Sequence, residues 1–298
     1  MKEESGYRLS ASGAYHRDDE DKSDGYDVSK DDMHDHLLQV QRWYPEIWER
    51  YQPVQVLGIS DRKVVVKAQD GRNKQFVVIK IFDISAAVNE DEINRFEREF
   101  SVLKCLQIEG VPKSIDYVKM RRYHYCVEEY INARSLQDRI DDHSFIAEQD
   151  VLKIFRSCLK CLAAFQAQTP PIILRDIKPS HILEMDGKVW FINVGLDAWA
   201  SPKTSTCTNA NQCDYSAPEQ LRGELYASSN LYSVSMMMIH LLTKVAPDQI
   251  PDDGFRVLYK QYLVSLYAPC LSEVFDRVLV LKPKRRLKSA EEALKIFV

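Results

Sequence analysis

The residues best suited to chemistry lie in one polar loop, where Asp176 and Lys178 stand two positions apart. Apolar runs at residues 172–174 and 188–194 flank this loop, and Met185, Asp186 and Gly187 supply a second turn. The pattern of residues 172–195 predicts strand, loop and strand. Segments buried on either side hold a loop in place, so this stretch predicts a fixed site that presents one carboxylate and one ammonium.

Length and composition are those of an ordinary globular protein. The chain has 298 residues, 45% of them hydrophobic and 28% charged, and a net charge of -4, which suits one large or two small domains and gives no general attraction to nucleic acid. Its start has no apolar core of a signal peptide, and its longest apolar run, residues 231–242, is shorter than the ~20 residues of a membrane span. We therefore expect a cytoplasmic protein, without a membrane span or a nucleic-acid partner, whose seven scattered cysteines are reduced thiols.

Residues 1–36 form an acidic tail. Eleven acidic side chains against five basic ones leave it a net charge of -6, and it has few large aliphatic side chains. Such a segment buries too little surface to offset the entropy of ordering, so we predict a disordered tail. The functional alternative is an acidic docking or autoinhibitory arm.

Residues 37–51 have the opposite character and predict an amphipathic, aromatic-rich helix. Proline suits a first helical turn, so Pro45 is expected to restart the helix. This helix either docks on the chain's own small lobe or lies in a partner's groove. The apolar side chains at helical spacing are Val40, Trp43, Tyr44, Ile47, Trp48 and Tyr51.

The remaining chain reads as a β-rich part followed by a helical part. Strand patterns occur at residues 54–57, 63–68, 75–82, 111–119 and 124–130, with one helix at 92–106 among them. Helical patterns follow at residues 150–168, 231–243, 255–263, 272–281 and 290–297, and another helix is expected to begin at 219. We predict an α+β domain over residues 52–298, with a small β-rich N-lobe (52–130) and a helical C-lobe (131–298).

Several motifs, in order from about residue 51 to 298, resemble those of eukaryotic-like Ser/Thr protein kinases, especially the bacterial and cyanobacterial members. Leu-Arg-Asp-Ile-Lys-Pro-Ser-His at 174–181 is similar to the catalytic loop of that family, Asn-Val-Gly at 193–195 to its metal-binding loop, and Ala-Pro-Glu at 217–219 to a third motif. The resemblance implies a two-lobe protein-kinase fold and a reaction that uses ATP and metal ions.

The resemblance also assigns roles to individual residues. It implies that Asp176 accepts the proton of the substrate hydroxyl, that Lys178 contacts the transferring phosphate, and that Lys80, set by Glu99, holds the ATP phosphates. A structural pair of Glu219 with Arg286 is implied in the C-lobe. Further nucleotide-binding positions are Gly58, Val65, Glu129, Ile131 and Leu183.

The metal positions depart from the family pattern. Asn193 stands where the family has a chelating Asp, and His181 stands where it has a metal-binding Asn. Magnesium prefers hard and anionic oxygen ligands. One unit charge lost at ~4 Å is worth roughly 4 kcal/mol at an effective dielectric of ~20, or about a thousandfold in rate. We therefore expect weak or absent magnesium binding, with a softer metal on His181 as an alternative.

The predicted nucleotide-binding cleft and the residues that support the catalytic loop also differ from the family pattern. Gly58 is the glycine that survives from the phosphate-covering loop. Glu128 takes the gatekeeper position before the hinge, where a buried carboxylate needs a partner, and Lys80 is the expected one. Leu174 replaces a bracing His, and Asn230 replaces an Asp that accepts hydrogen bonds from the catalytic loop. These changes all affect one site.

The combined pattern predicts a pseudokinase, a kinase-fold regulatory or scaffold protein whose protein partner binds at residues 1–51 or in the altered cleft. The alternative is a low-activity or unconventional Ser/Thr kinase that transfers the γ-phosphate of ATP to a protein, which the retained Asp176, Lys178, Lys80 and Glu99 favour. A third hypothesis keeps ATP binding as a structural switch without transfer.

Overall fold

The computed structural model describes residues 45–60, 63–84, 90–120, 123–142, 146–194, 215–263 and 269–297. The predicted acidic tail, residues 37–44 of the predicted helix and residue Gly195 lie outside the described residues. Of Glu99 the structure describes the backbone alone.

The N-lobe is a five-stranded antiparallel sheet with one helix. Its elements are β1 (Tyr51–Ser60), β2 (Lys63–Asp70), β3 (Phe76–Asp83), α1 (Glu90–Cys105), β4 (Ser114–Met120) and β5 (Tyr123–Glu129). The strand order is β1-β2-β3-β5-β4. Burial alternates strictly along β2, where Val64, Val66 and Ala68 enter the core of the lobe and their neighbours face the other side. That alternation is the period of a pleated strand.

The register of this sheet decides which side chains meet. Val65 lies opposite Lys80, Lys80 lies opposite Cys126, and Val78 lies opposite Glu128. Residues opposite one another in an antiparallel ladder point to the same face. Lys80 and Glu128 therefore share one face of the sheet, although 48 positions separate them in the chain.

The chain enters the N-lobe through Pro45–Glu49, which form a short 3-10 helix. Ile47 is buried and Trp48 packs against the same core. The prediction of helix up to Tyr51 is wrong at its end, because Tyr51 is the first residue of β1 and lies opposite Asp70. The carbonyl of Arg50 already accepts the amide of Gly71 at 2.8 Å, which directs the chain into the sheet.

The C-lobe is helical, with a small three-stranded sheet. Its helices are α2 (Leu136–Asp141), α3 (Glu148–Gln166), α4 (Ala227–Thr243), α5 (Pro269–Val278) and α6 (Ala290–Leu294), and its strands are β6 (Arg134–Ser135), β7 (Ile182–Met185) and β8 (Lys188–Phe191). Helix α4 is buried on nearly all sides, as its apolar sequence predicts, and it packs against α3.

Two predicted C-lobe helices are wrong. Residues 255–258 are not helical, and only Tyr259–Tyr262 form a 3-10 turn. The carboxylate of Asp253 accepts the amides of Phe255 and Arg256, and this side-chain turn competes with a helix. The helix expected to begin at 219 is one 3-10 turn, Gln220–Arg222, which ends at Gly223 with φ of 80°. Within the described ranges, no helix is both long and apolar enough to cross a membrane.

Candidate functional site

The lysine of β3 is held by the carboxylate next to the hinge. Lys80 Nζ lies 2.7 Å from Glu128 Oε2, and the two side chains are 5% and 16% exposed. Cys126, opposite Lys80, is fully buried. Burial, with a further contribution from the Glu128 charge, raises the pKa of its thiol, so it stays protonated. Glu128 therefore contacts Lys80, the partner that the sequence predicted for it.

Three residues of the predicted catalytic loop, Asp176, Lys178 and His181, lie close together. Lys178 Nζ lies 2.8 Å from Asp176 Oδ2. His181, at the end of the 3-10 turn Pro179–His181, places Nδ1 3.2 Å from the backbone oxygen of Asp176 and 3.5 Å from Oδ2. When Nδ1–H donates to that carbonyl, the acceptor of the neutral ring is Nε2. The Asp176 carboxylate thus lies between one ammonium and one imidazole.

Asn193 and His181, the two positions at which the sequence predicted altered metal ligands, are neighbours. The amide of Ile192 donates to the carbonyl of His181 at 2.9 Å, which brings Asn193 beside the catalytic loop. Asn193 has φ of 62°, a left-handed conformation that Asn tolerates better than most residues. An amide oxygen and an imidazole nitrogen are a poor donor set for Mg²⁺. In the part of the chain that the structure describes, no group of three His, Cys, Asp or Glu side chains is arranged to hold a metal ion.

Asn230 supports the catalytic loop from α4 with two hydrogen bonds to one residue. Its Oδ1 accepts the amide of Leu174 at 3.0 Å, and its Nδ2 donates to the carbonyl of Leu174 at 2.6 Å. Both residues are buried. A carboxylate at this position accepts but cannot donate, so the side-chain amide matches both backbone groups where Asp matches one.

A buried ion pair braces the C-lobe next to this site. Arg286 Nη1 and Nη2 lie 2.6 and 2.9 Å from the two carboxylate oxygens of Glu219, and both side chains are 0% exposed. Ser229 Oγ donates to the same carboxylate at 2.6 Å, and Arg286 Nε donates to the carbonyl of Val280. Gln220 then links this region to the catalytic loop, since its Nε2 donates to the carbonyl of Arg175 at 3.3 Å. Every charged atom of the pair has a partner.

The remaining positions that the sequence predicted to bind nucleotide are exposed or half-buried. Gly58 is exposed on β1, and a Cβ added there meets no atom within 4 Å. Glu129 is exposed, and its carboxylate accepts the amide of Lys113 at 3.3 Å. Half-buried side chains complete the set at Val65, Ile131 and Leu183.

A cation–π cluster beside the predicted hinge, residues 129–131, could not be predicted from any local sequence pattern. Lys67 Nζ lies 4.0 Å from the ring centroid of Tyr130 and 4.6 Å from that of Phe76. The two rings meet edge to face, 6.1 Å apart. This cation–π cluster requires the β2–β3 register and the path of the hinge, neither of which a local pattern supplies.

Comparison with known proteins gives a consistent result. The model of the protein kinase domain matches residues 51–295. "Serine/threonine-protein kinase F" of Synechocystis sp. is 28% identical over 273 residues, covering 83% of this chain and 54% of the relative. Similar relatives are PknA of Nostoc sp. (27% identical, 82% of this chain and 46% of the relative) and PrkC of Bacillus subtilis (29%, 69% and 31%). The chain therefore spans about half the length, or less, of these curated relatives.

Solved structures show the same fold. A crystal structure of Rad53 residues 1–466 in complex with AMP-PNP superimposes with a TM-score of 0.65 at 23% identity, covering 85% of this chain and 66% of that one. The Mycobacterium tuberculosis PknI kinase domain superimposes with a TM-score of 0.62 at 20% identity, covering 83% and 94%. Both similarities confirm the predicted two-lobe α+β architecture.

Proposed function

Because the chain belongs to the protein kinase family, we propose that it is a pseudokinase, a kinase-fold protein that regulates or scaffolds a protein partner without efficient phosphotransfer. Its relatives in bacteria are named as Ser/Thr kinases. The proposal concerns what this chain's own altered residues do at the shared site.

The observation that carries the proposal is the Lys80–Glu128 ion pair. In the family the lysine of this strand holds the α- and β-phosphates of ATP. Here its ammonium is 2.7 Å from a carboxylate and nearly buried. A nucleotide must displace that carboxylate or accept a negative charge beside its phosphates, and either requirement weakens its binding.

The donor set at the metal positions supports the same proposal. Protein kinases hold their magnesium ions with an anionic Asp and a neutral Asn, whereas this chain offers the amide of Asn193 and the imidazole of His181. We propose that magnesium binds weakly or not at all. ATP without a metal remains a candidate ligand that stabilises the fold.

The second candidate function is a low-activity Ser/Thr kinase. It is favoured by the pairing of Lys178 Nζ with Asp176 Oδ2 at 2.8 Å. Asp176 can accept the proton of a substrate hydroxyl, and Lys178 can carry positive charge to a transferring phosphate. Lys178 and Asp176 pair without a metal. Slow phosphate transfer is therefore the alternative to a protein that transfers no phosphate.

In the pseudokinase proposal, binding of a protein partner is the function. We propose that the partner binds residues 1–51 or the altered cleft, and a cytoplasmic location remains a prediction. Ile47 and Trp48 pack on the N-lobe core. This contact supports docking of the described end of that segment on the chain's own small lobe.

Two measurements on the purified full chain test the proposal. Thermal unfolding with ATP, with and without Mg²⁺ or Mn²⁺, reports nucleotide and metal binding separately. We expect Mg²⁺ to add no stabilisation beyond that of ATP alone. Phosphate incorporation into the chain and into a generic protein substrate should not exceed that of Asp176→Ala. Incorporation at ordinary kinase rates of roughly 1–100 s⁻¹ that is lost in Asp176→Ala would refute the pseudokinase proposal, and slow but Asp176-dependent incorporation would support the second candidate.

A further inference from the structure

The C-lobe carries an aromatic ring with two arginines close to it, far along the chain from Lys80 and Asp176. The guanidinium carbon of Arg256 lies 5.2 Å from the ring centroid of Phe255, and that of Arg285 lies 5.1 Å from it. Lys282 and Lys284 adjoin Arg285 and are exposed, as are both arginines. We call Phe255 with these four cations the Phe255 surface.

The backbone fixes this surface. The amide of Leu281 donates to the carbonyl of Phe255 at 2.8 Å, and Arg256 pairs with Val280 as an isolated antiparallel bridge. The 3-10 turn Pro283–Arg285 follows directly and presents Arg285. The charged groups of two chain segments are therefore held together without help from a ligand.

Among the described C-lobe residues 251–263 and 269–297, the four cations of this surface form no ion pair, and neither does the exposed Lys288, whereas three other exposed cations do. Within the described residues, Lys260 contacts Asp276 at 2.6 Å, Arg277 contacts Glu273 at 3.4 Å and Lys295 contacts Glu291 at 3.6 Å. No carboxylate among the described residues lies within ion-pair distance of the four cations of the Phe255 surface: Arg256, Lys282, Lys284 and Arg285.

The two nearest acidic residues in sequence are engaged elsewhere. Asp252 accepts the amide of Gly254 at 2.8 Å, and Asp253 accepts the amides of Phe255 and Arg256 at 2.8 and 2.7 Å. Those backbone hydrogen bonds hold the pKa of Asp253 below its usual range. The carboxylates reduce the local positive charge but leave the donor groups of the arginines available.

We propose that the Phe255 surface binds the acidic segment 18–35 of the chain itself. That segment has nine acidic and two basic side chains, so its net charge is opposite to that of the surface. Guanidinium groups bind carboxylates through paired hydrogen bonds, and both guanidinium groups of this surface lie within cation–π distance of Phe255. The chemistry of the surface and of the segment is complementary.

The length of the chain permits this contact. Residues 18–44 are 27 residues, which span up to ~90 Å when fully extended. A kinase-like domain of about 250 residues has a radius of gyration of ~18 Å, which corresponds to a diameter of roughly 46 Å and to half a circumference of roughly 70 Å. The acidic residues farthest from the N-lobe can therefore reach any part of the surface. Tethering keeps the segment at an effective concentration on the order of millimolar, so individually weak ion pairs suffice.

Carbodiimide coupling of the full chain, which joins carboxylates to lysines in direct contact, tests the proposal. We expect coupling of residues 18–35 to Lys282 or Lys284, located by mass spectrometry. Coupling should fall several-fold in Arg256→Glu with Arg285→Glu, which leaves both lysines in place. It should also fall at about 1 M salt, where the screening length is ~3 Å. The matched control is Arg156→Glu with Lys160→Glu on the exposed side of α3, which should couple like the unaltered chain.

The outcomes are distinct. A mixture of ¹⁴N- and ¹⁵N-labelled chains should yield couplings within one isotope, and couplings between isotopes alone would instead show that a second copy supplies the acidic segment. Coupling that is missing, or that is equal in the charge-reversal variant, would overturn the proposal. The salt series on the unaltered chain decides the matter even if that variant unfolds. The result does not depend on nucleotide binding, so it is independent of the pseudokinase proposal.

Discussion

Lys80 of β3 and Glu128 of β5 form an ion pair, with Nζ 2.7 Å from Oε2. The pair forms because the register sets Val78 opposite Glu128 and Lys80 opposite Cys126, so that both charges emerge on one face of the sheet. Burial of the two groups makes their attraction stronger than it is in water. The ammonium group of Lys80 is therefore already paired with a protein carboxylate.

Glu128→Gln should release Lys80 and strengthen nucleotide binding. Removal of one carboxylate charge from the cleft is expected to tighten the Kd of metal-free ATP about tenfold, which corresponds to roughly 1.4 kcal/mol. Isothermal titration of the purified variant measures this change. Glu291→Gln removes the same charge from an exposed side chain on α6, away from the predicted nucleotide-binding positions, and should have little effect. Equal Kd values for Glu128→Gln and the unaltered chain would show that the pair does not limit binding.

Asn193→Asp combined with His181→Asn should create magnesium dependence. The double variant supplies one anionic and one neutral oxygen ligand, the set that Mg²⁺ prefers. We expect Mg²⁺ to raise the Tm of the ATP-bound variant, and phosphate transfer to rise by up to about a thousandfold as an upper bound. The same double change in Asp176→Ala should keep the magnesium-dependent shift and lose the transfer. If Mg²⁺ does not change the Tm of the ATP-bound double variant, residues other than Asn193 and His181 must prevent magnesium binding.

Asn230→Asp, the change toward the family residue, should destabilise this protein. It removes the donor that meets the carbonyl of Leu174 at 2.6 Å and sets an oxygen against that carbonyl in a buried site. We expect a loss of about 1–3 kcal/mol in the free energy of unfolding, measured with urea. Asn73→Asp is a matched control, because Asn73 is exposed and its oxygen accepts the amide of Gln75, which Asp also does. If Asn230→Asp unfolds at the same urea concentration as the unaltered chain, the donor is unimportant.

Glu219→Gln should be far more costly than loss of an exposed pair. It leaves the fully buried guanidinium of Arg286 without its counter-charge, and breaking such a pair costs about 3–5 kcal/mol. Arg277→Ala removes a pair whose members are more than half exposed, and such pairs are worth at most about 1 kcal/mol. Urea unfolding of both variants gives the comparison. Similar losses of unfolding free energy in the two variants would show that the buried Glu219–Arg286 pair does not stabilise the C-lobe more than an exposed pair does.

Asp70 should make part of the stability dependent on acid. Hydrogen bonds from Arg50, at 2.8 Å to Oδ2, hold the pKa of Asp70 below its usual range. Its contribution is complete above the unfolded carboxyl pKa of about 3.9 and declines as the pH falls through the lower folded value. The stability lost in Asp70→Asn should therefore be largest near neutral pH and shrink below about pH 4.

Urea unfolding at a series of pH values measures this effect. The matched control is Asp186→Asn, an exposed turn residue with φ of 53° that Asn also tolerates. Its difference from the unaltered chain should stay small at every pH. A loss in Asp70→Asn that is the same at acidic and neutral pH would exclude the linkage.

Local patterns predicted some elements well and others badly, for identifiable reasons. The strict alternation of β2 and the continuous apolar run of α4 each reflect a single environment along the whole element. The helix predicted over residues 255–263 failed because Asp253 caps a tight turn there, and a nearby partner in sequence outcompetes helical periodicity. Tyr51 continues the helical spacing of the apolar residues before it, but it lies in the sheet because it pairs with Asp70.

By itself the sequence determined the family, the two-lobe architecture and the identity of the altered residues, because motifs and apolar periods are read over a few neighbouring positions. Tertiary structure alone decided what those residues contact. It paired Lys80 with Glu128 on neighbouring strands, matched both ends of the Asn230 amide to Leu174, and brought Arg256 and Arg285 within cation–π distance of Phe255. Each of these contacts depends on register and packing between segments distant in the chain, where a shift of one residue turns a side chain to the other face.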